Sequence, residues 1–135
     1  MQEELSALTE LIHGEGAKIK VIFENAYLED AAKIRLCEIS GEAGVDWVKT
    51  STGYAPSGAT HADLKLMRAH TPARVQVKAA GGIRDLDALL EVRALGVSRV
   101  GATRTESMLE ELRRRIGLEP ITVAGQPTGV SAGGY

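Results

Sequence analysis

Short apolar runs alternate along the chain with longer segments whose apolar residues recur at helical spacing. The short runs predict four β-strands, over residues 18–23, 45–49, 74–78 and 98–102. The longer segments predict an amino-terminal helix that ends at Gly14-Glu15-Gly16 and further helices over residues 30–43, 61–70, 85–95 and 106–116. Strands and helices that alternate in this order form parallel βα units, so the predicted fold class is α/β with four such units. The periodicity stops at Gly117, which predicts a folded domain over residues 1–117 and a flexible tail over residues 118–135.

The composition is that of one globular domain. The chain has 135 residues, of which 44% are hydrophobic and 25% are charged. Its formal net charge of −2 argues against nucleic acid or an anionic membrane as the main partner. Cys37 is the single cysteine, so no internal disulfide can form, and its place in a predicted helix favours a core position. The first residues form an amphipathic pattern rather than a signal peptide, and the default expectation is a cytoplasmic protein.

Two lysines at the ends of neighbouring strands are the strongest chemical signal. Lys49 follows Trp47-Val48, and Lys78 follows Val75-Gln76-Val77. Parallel strands end at the same edge of a sheet, about 4.8 Å apart, so the two ammonium groups should be neighbours. At an effective dielectric of ~20 they repel by about 3 kcal/mol, enough to lower the pKa of one amine by about 2. A neutral amine attacks carbonyl groups to form a Schiff base, and the pair favours this function over two solvated surface lysines.

Alternation along the strands separates an apolar face from a mixed one. Trp47 and Gln76 share a face with the lysines, whereas Val48 and Val77 lie on the opposite face. The opposite face is apolar enough to pack against helices. A mixed face with reactive residues at the carboxyl ends of the strands is typical of the interior of a βα barrel.

Small residues that follow the strands predict a substrate site at the same edge. Gly81-Gly82 and Gly101-Ala102-Thr103 stand where backbone N–H groups before a helix bind phosphate. Thr50, Ser51, Thr52 and Gly53 are suited to hold a hydroxylated substrate, or they form a plain loop that leads into the next helix.

Other polar residues carry weaker signals. Glu24 ends the first strand at this edge and either supports the site or pairs with a lysine. The three histidines lack the spacing of metal ligands, which favours surface or capping roles for His13, His61 and His70. The run Arg113-Arg114-Arg115 suits the last turn of a helix better than a nucleic-acid patch.

The motifs VKTSTGYAPSGAT, VQVKAAGGIRD and KVIFENAYLED resemble those of deoxyribose-phosphate aldolases, which are class I aldolases. The resemblance covers residues 1–117, and it implies the second half of a TIM (β/α)8 barrel. It implies that Lys49 forms the Schiff base with acetaldehyde and that Lys78 favours its neutral form and carries protons. It also implies phosphate contacts at Gly53, Gly81, Gly82 and the loop from Gly101 to Thr103. Tyr135 resembles the terminal tyrosine that assists proton transfer in some members.

The reaction implied is the reversible cleavage of 2-deoxy-D-ribose 5-phosphate to D-glyceraldehyde 3-phosphate and acetaldehyde, without a metal or an organic cofactor. Two departures from the family stand out. Arg104 occupies a position where serine is common. The first four strands and the aspartate of the fourth strand have no counterpart, and no aspartate of this chain replaces it.

A half-barrel leaves two open edge strands, which predicts either a homo-oligomer or a complementing amino-terminal half-barrel chain. The competing functional hypothesis is a truncated, catalytically silent module that binds phosphate or another protein. A phosphosugar isomerase or synthase would use the same glycine loops, but it gives no reason for two lysines.

Overall fold

A computed structural model describes residues 1–121 and contains one parallel four-stranded sheet. The strands are β1 (Lys20–Ile22), β2 (Trp47–Lys49), β3 (Gln76–Ala80) and β4 (Val97–Gly101). The helices are α1 (Gln2–Gly14), α2 (Asp30–Glu42), α3 (His61–His70), α4 (Leu86–Ala94) and α5 (Thr105–Arg115). The sheet order is β1-β2-β3-β4, so the predicted succession of parallel βα units is confirmed.

The core lies between the sheet and the helices. Val48 of β2 and Val77 of β3 are fully buried, and they belong to one apolar cluster with Leu64 and Met67 of α3. Cys37 of α2 is fully inaccessible in the same cluster, as predicted, and burial raises the pKa of its thiol to about 12. The other face of the sheet bears the lysines, as the alternation predicted.

Local signals set the ends of several helices. Helix α3 begins after Thr60, whose Oγ1 accepts a hydrogen bond of 3.1 Å from the Asp63 N–H. Helix α4 begins after Asp85, whose carboxylate accepts from the Ala88 N–H at 2.9 Å. The basic run at the end of α5 pairs with acidic side chains: Arg115 contacts Asp87 and Glu111, and Arg114 also contacts Glu111.

The segment after α5 turns back along that helix. The Leu118 N–H donates to the Arg113 carbonyl at 2.9 Å, and the Ile121 N–H donates to Glu110 at 2.7 Å. The predicted tail over residues 118–135 falls mainly outside the described residues, and its boundary at residue 117 stays a prediction. Within residues 1–121, no helix is long and apolar enough to cross a bilayer.

Candidate active site

The sheet register places the two lysines side by side. Lys49, the last residue of β2, is the Cα partner of Lys78 in β3, and Lys78 is in turn the partner of Arg99 in β4. Trp47, two residues before Lys49 in β2, is the Cα partner of Lys20 in β1. Because residues two apart on a strand share a face, Lys20 joins the other cations on the open face of the sheet. Lys20 and Arg99 were not predicted as part of this cluster. Alternation places Lys20 on the face of the lysines, but a register shift between β3 and β4 interrupts the alternation before Arg99.

The positive face changes the acidity of one of its own members. Burial lowers the pKa of the Lys78 ammonium, and the charges of Lys20, Lys49 and Arg99 lower it further. Loss of the proton removes both the desolvation penalty and the repulsion, so Lys78 releases it below the usual pH range of lysine. Lys78 is therefore suited to accept and return protons.

The ring of Trp47 makes cation–π contacts with two positively charged side chains. Arg99 lies 4.1 Å from the centroid of the Trp47 ring, and Lys18 lies 5.2 Å from it. Each cation–π contact of this kind contributes about 0.5–1 kcal/mol at a solvent-accessible site. The Trp47 indole N–H is buried and has no acceptor among the described residues. The open face therefore combines positive charge with an unpaired donor.

Thr50 and Ser51 connect the edge of β2 to β3. The Thr50 Oγ1 accepts from the Ala80 N–H at 3.1 Å and donates to the Ala80 carbonyl at 3.3 Å, and Ser51 donates to the same carbonyl at 2.6 Å. Both side chains are fully buried. The geometry gives Thr50 a structural role, because its hydroxyl is buried and already paired. The predicted substrate contact of Thr50 stays a prediction.

The loop after β2 packs directly on the loop after β3. A Cβ atom built on Gly58 would lie 2.5 Å from the Cα of Gly81, far inside contact distance. The Ala59 N–H also donates to the carbonyls of Ala80 at 3.0 Å and Gly81 at 3.1 Å. Gly81 has φ +83°, so it needs glycine for its conformation and for this close approach. Glycine at 81 is thus explained by packing, independently of any phosphate contact.

We expect Gly58→Ala to lower the free energy of unfolding by about 1–3 kcal/mol, because the new methyl group collides with backbone that cannot move aside cheaply. Urea unfolding measures the effect. The matched control is Gly14→Ala, where an added Cβ meets nothing within 4 Å and the backbone is helical. Equal stability of the two variants would contradict the close contact between Gly58 and Gly81.

Glu24 is held in an unusual conformation at the end of β1. Among the described residues it is the one non-glycine residue with positive φ (57°), a conformation that costs about 1–3 kcal/mol. Its carboxylate accepts from the Thr52 N–H at 3.2 and 3.1 Å and also from the Thr52 hydroxyl. Within residues 1–121 no ion pair joins Glu24 to a lysine. Of the two alternatives considered for Glu24, the structure therefore supports contact with the loop after Lys49.

The remaining predicted phosphate contacts lie in the loops after β2 and β3 and at the end of β4 and just beyond it. Gly53 is exposed with φ +105°, and Gly82 is exposed with φ +85°. A Cβ on Gly101 would lie 3.2 Å from the Ala80 Cβ, which is tight, and 3.5 Å from the Lys78 Cε, which is an ordinary contact. Thr103 is exposed ahead of α5, and Arg104 caps that helix without a side-chain hydrogen bond. The Asp85 carboxylate caps the start of α4, whereas the start of α5 has no side-chain cap but has the acidic Glu106 in its first turn.

The histidines His13, His61 and His70 are exposed, and the predicted catalytic residue Tyr135 lies beyond the described residues. His13 contacts Asp46 at 2.9 Å, and His61 contacts Glu91 at 3.4 Å. Among residues 1–121 no group of three or more histidine, cysteine or acidic residues could hold a metal ion. Tyr135 lies outside the described residues, so its catalytic role stays a prediction.

Known proteins match the chain over about half of their length. A deoxyribose-phosphate aldolase from Rhodopirellula baltica is 58% identical over 135 residues, which is 100% of this chain and 54% of the relative. The solved aldolase QR15 superposes with a TM-score of 0.76 at 39% identity, covering 87% of this chain and 53% of that protein. The deoxyribose phosphate aldolase from Aeropyrum pernix, described as tetrameric, gives a TM-score of 0.74 at 30% identity, covering 83% and 48%. No protein-family model matches the chain. The predicted resemblance and half-barrel fold are confirmed: the chain is homologous to the carboxyl-terminal half of the deoxyribose-phosphate aldolases.

Proposed function

We propose that the chain carries the Schiff-base half of a deoxyribose-phosphate aldolase site, with Lys49 as the nucleophile. The observation that carries the proposal is the register of Lys49 with Lys78, whose pKa is lowered by burial and by its positive neighbours. Surface lysines have no reason to be paired in this way at the carboxyl edge of a parallel sheet.

The reaction needs one amine that forms a covalent bond to the substrate and a second amine that transfers protons. The Lys49 amine attacks the aldehyde carbon of 2-deoxy-D-ribose 5-phosphate, and loss of water with uptake of a proton gives a protonated imine that accepts the electrons of the C2–C3 bond. The hydroxyl at C3 loses its proton and the C2–C3 bond breaks, which releases D-glyceraldehyde 3-phosphate and leaves an enamine. The enamine carbon takes a proton, and water then releases acetaldehyde and restores Lys49. Lys78 carries these protons between its neutral and charged forms.

The start of α5 is the proposed phosphate site. Its first turn has no side-chain cap, its N-cap residue is Arg104, and the turn also contains the acidic Glu106. Backbone N–H groups and the helix dipole attract the phosphate, and arginine adds paired hydrogen bonds that serine does not supply. The exposed residues Gly53, Gly82 and Thr103 complete the proposed contacts, whereas Gly81 and Gly101 shape the site.

We propose that the open face is covered by a complementing half-barrel polypeptide rather than by a second copy. Two copies face to face would bring the cations Lys18, Lys20, Lys49, Lys78 and Arg99 against their equivalents, and like charges repel. An acidic surface would offset these charges and supply an acceptor for the buried Trp47 N–H. The chain spans about half the length of the relatives it matches, so the unmatched part of the Rhodopirellula baltica relative is a suitable test partner.

Mixing the two polypeptides tests this partner. We expect light scattering to show a one-to-one complex. The rate of acetylation of Lys20 should be lower in the complex than in the chain alone, because the partner covers this side chain. A stable dimer of the chain alone with Lys20 protected would contradict the proposal and support a second copy.

Reductive trapping tests the chemistry. The protein is incubated with acetaldehyde and borohydride, and peptide mass spectrometry is expected to find the two-carbon adduct on Lys49. An adduct on Lys78 instead would reverse the two roles. Absence of any adduct, with binding of a phosphosugar intact, would support a silent phosphate-binding module.

A further inference from the structure

Glu24 carries a conformation that its residue type does not favour. With φ 57° and ψ 61° it lies in the left-handed region, where glycine and asparagine are the usual residues. Glu24 lies between two hydrogen bonds that join this segment to β2 and the residue after it. The Phe23 N–H donates to the Lys49 carbonyl, and the Asn25 N–H donates to the Thr50 carbonyl. A glycine would give this backbone without strain, so the reason for a glutamate must lie in its carboxylate.

The carboxylate holds the chain three residues after Lys49. It accepts from both the N–H and the hydroxyl of Thr52, and the Thr52 Oγ1 in turn accepts from the Tyr54 N–H at 3.3 Å. These bonds bracket Gly53, which has open space around it and therefore no packing of its own. Hydrogen bonds to an ionised acceptor are stronger than neutral ones. The near part of the loop is thus held by Glu24, whereas its far part is held by the contact of Gly58 with Gly81.

We propose that Glu24 is a positioning residue: through Thr52 it fixes the loop beside Lys49, and so sets how efficiently an aldehyde is held for attack by the Lys49 amine. The inference rests on the proposed function, because it concerns the same amine. Glu24 does not exchange protons with the substrate. Its effect passes through the loop backbone, where a small displacement of a positioning group lowers a rate by up to about 10²-fold.

Two substitutions separate the carboxylate from the backbone strain. Glu24→Gln keeps the size of the side chain but loses the charge and one acceptor. Glu24→Gly removes the carboxylate and relaxes the positive φ. We expect amide hydrogen exchange at residues 52–54 to become about 10-fold faster or more in both variants. Trapping of acetaldehyde at Lys49 should slow by about 10-fold in both, even where Glu24→Gly leaves the thermal midpoint unchanged.

Glu29→Gln is the matched control, since Glu29 is exposed before α2 and makes no side-chain cap. It should change neither readout. Unchanged exchange in the Glu24 variants would overturn the inference, and so would faster exchange with unchanged trapping. If the wild-type protein forms no adduct, the proposed function fails, while the exchange experiment still decides whether Glu24 holds the loop.

Discussion

Lys49→Met should abolish the acetaldehyde adduct, with at least a 10³-fold loss of trapping rate, because no other amine of the site occupies its position at the end of β2. Methionine is unbranched and of similar length, so the apolar part of the side chain keeps its contacts. The expected result is a folded protein that borohydride no longer labels with acetaldehyde at this site. Peptide mass spectrometry at equal protein concentration measures it.

Lys65→Met serves as the control for this experiment, since Lys65 is an exposed lysine on α3 away from the sheet edge. Its adduct yield should equal that of the wild type. If Lys49→Met is still labelled at Lys78 with an unchanged rate, the nucleophile has been assigned to the wrong lysine.

Lys78→Met should slow proton transfer far more than it slows imine formation. The exchange of acetaldehyde methyl hydrogens with D2O requires the imine to lose a proton and regain one, and we expect its rate to fall by about 10²–10⁴-fold. The adduct at Lys49 should still form in longer incubations, because the nucleophile remains. NMR of the acetaldehyde methyl signal follows the exchange. An exchange rate equal to that of the wild type would remove Lys78 from the proton relay.

The pH dependence gives the sign of the electrostatic effect. Burial is the largest cause of the lowered pKa of Lys78, and the charge of Lys20 is the next, followed by those of Lys49 and Arg99. In Lys20→Gln one repelling charge is gone, so the pKa of Lys78 rises relative to the wild type and its neutral form appears at higher pH. The rise of the exchange rate with pH should therefore move to higher pH. A move to lower pH would contradict the electrostatic role of Lys20.

The order of the elements could be predicted from periodicity, but the extent of the strands could not. The prediction for β1 began at residue 18, whereas the strand has only three residues, Lys20–Ile22. Strand β3 instead runs on to Ala80, two residues past the prediction, because the buried Ala79 and Ala80 continue the strand although small residues before glycines resemble a loop. Helix α3 was predicted to the residue, since Thr60 gives a clear start and the apolar spacing is regular.

Part of the site could be predicted from the alternation along the strands, whereas the rest depends on tertiary contacts. The pairing of Lys49 with Lys78 follows from strand register, and register follows from the repeat of βα units. The burial of Thr50 could not be predicted from the register, because a threonine after a strand has the same local pattern whether it faces a substrate or a neighbouring strand. The hydrogen bond between Thr52 and Glu24 joins residues that are 28 apart in the sequence, so no local pattern predicts it.

The sequential strand order has a consequence for how the chain folds. Every strand pairs with its nearest predecessor in sequence, so the contacts that bring the two lysines together close loops of only one βα unit. Each pairing nevertheless spans a whole βα unit, so loop entropy is lost before the strand contacts form, and parallel pairing of this kind is slow. We therefore expect the two lysines to come together only when β2, α3 and β3 have packed as a unit, whereas β1 and β4 stay unpaired on their outer edges.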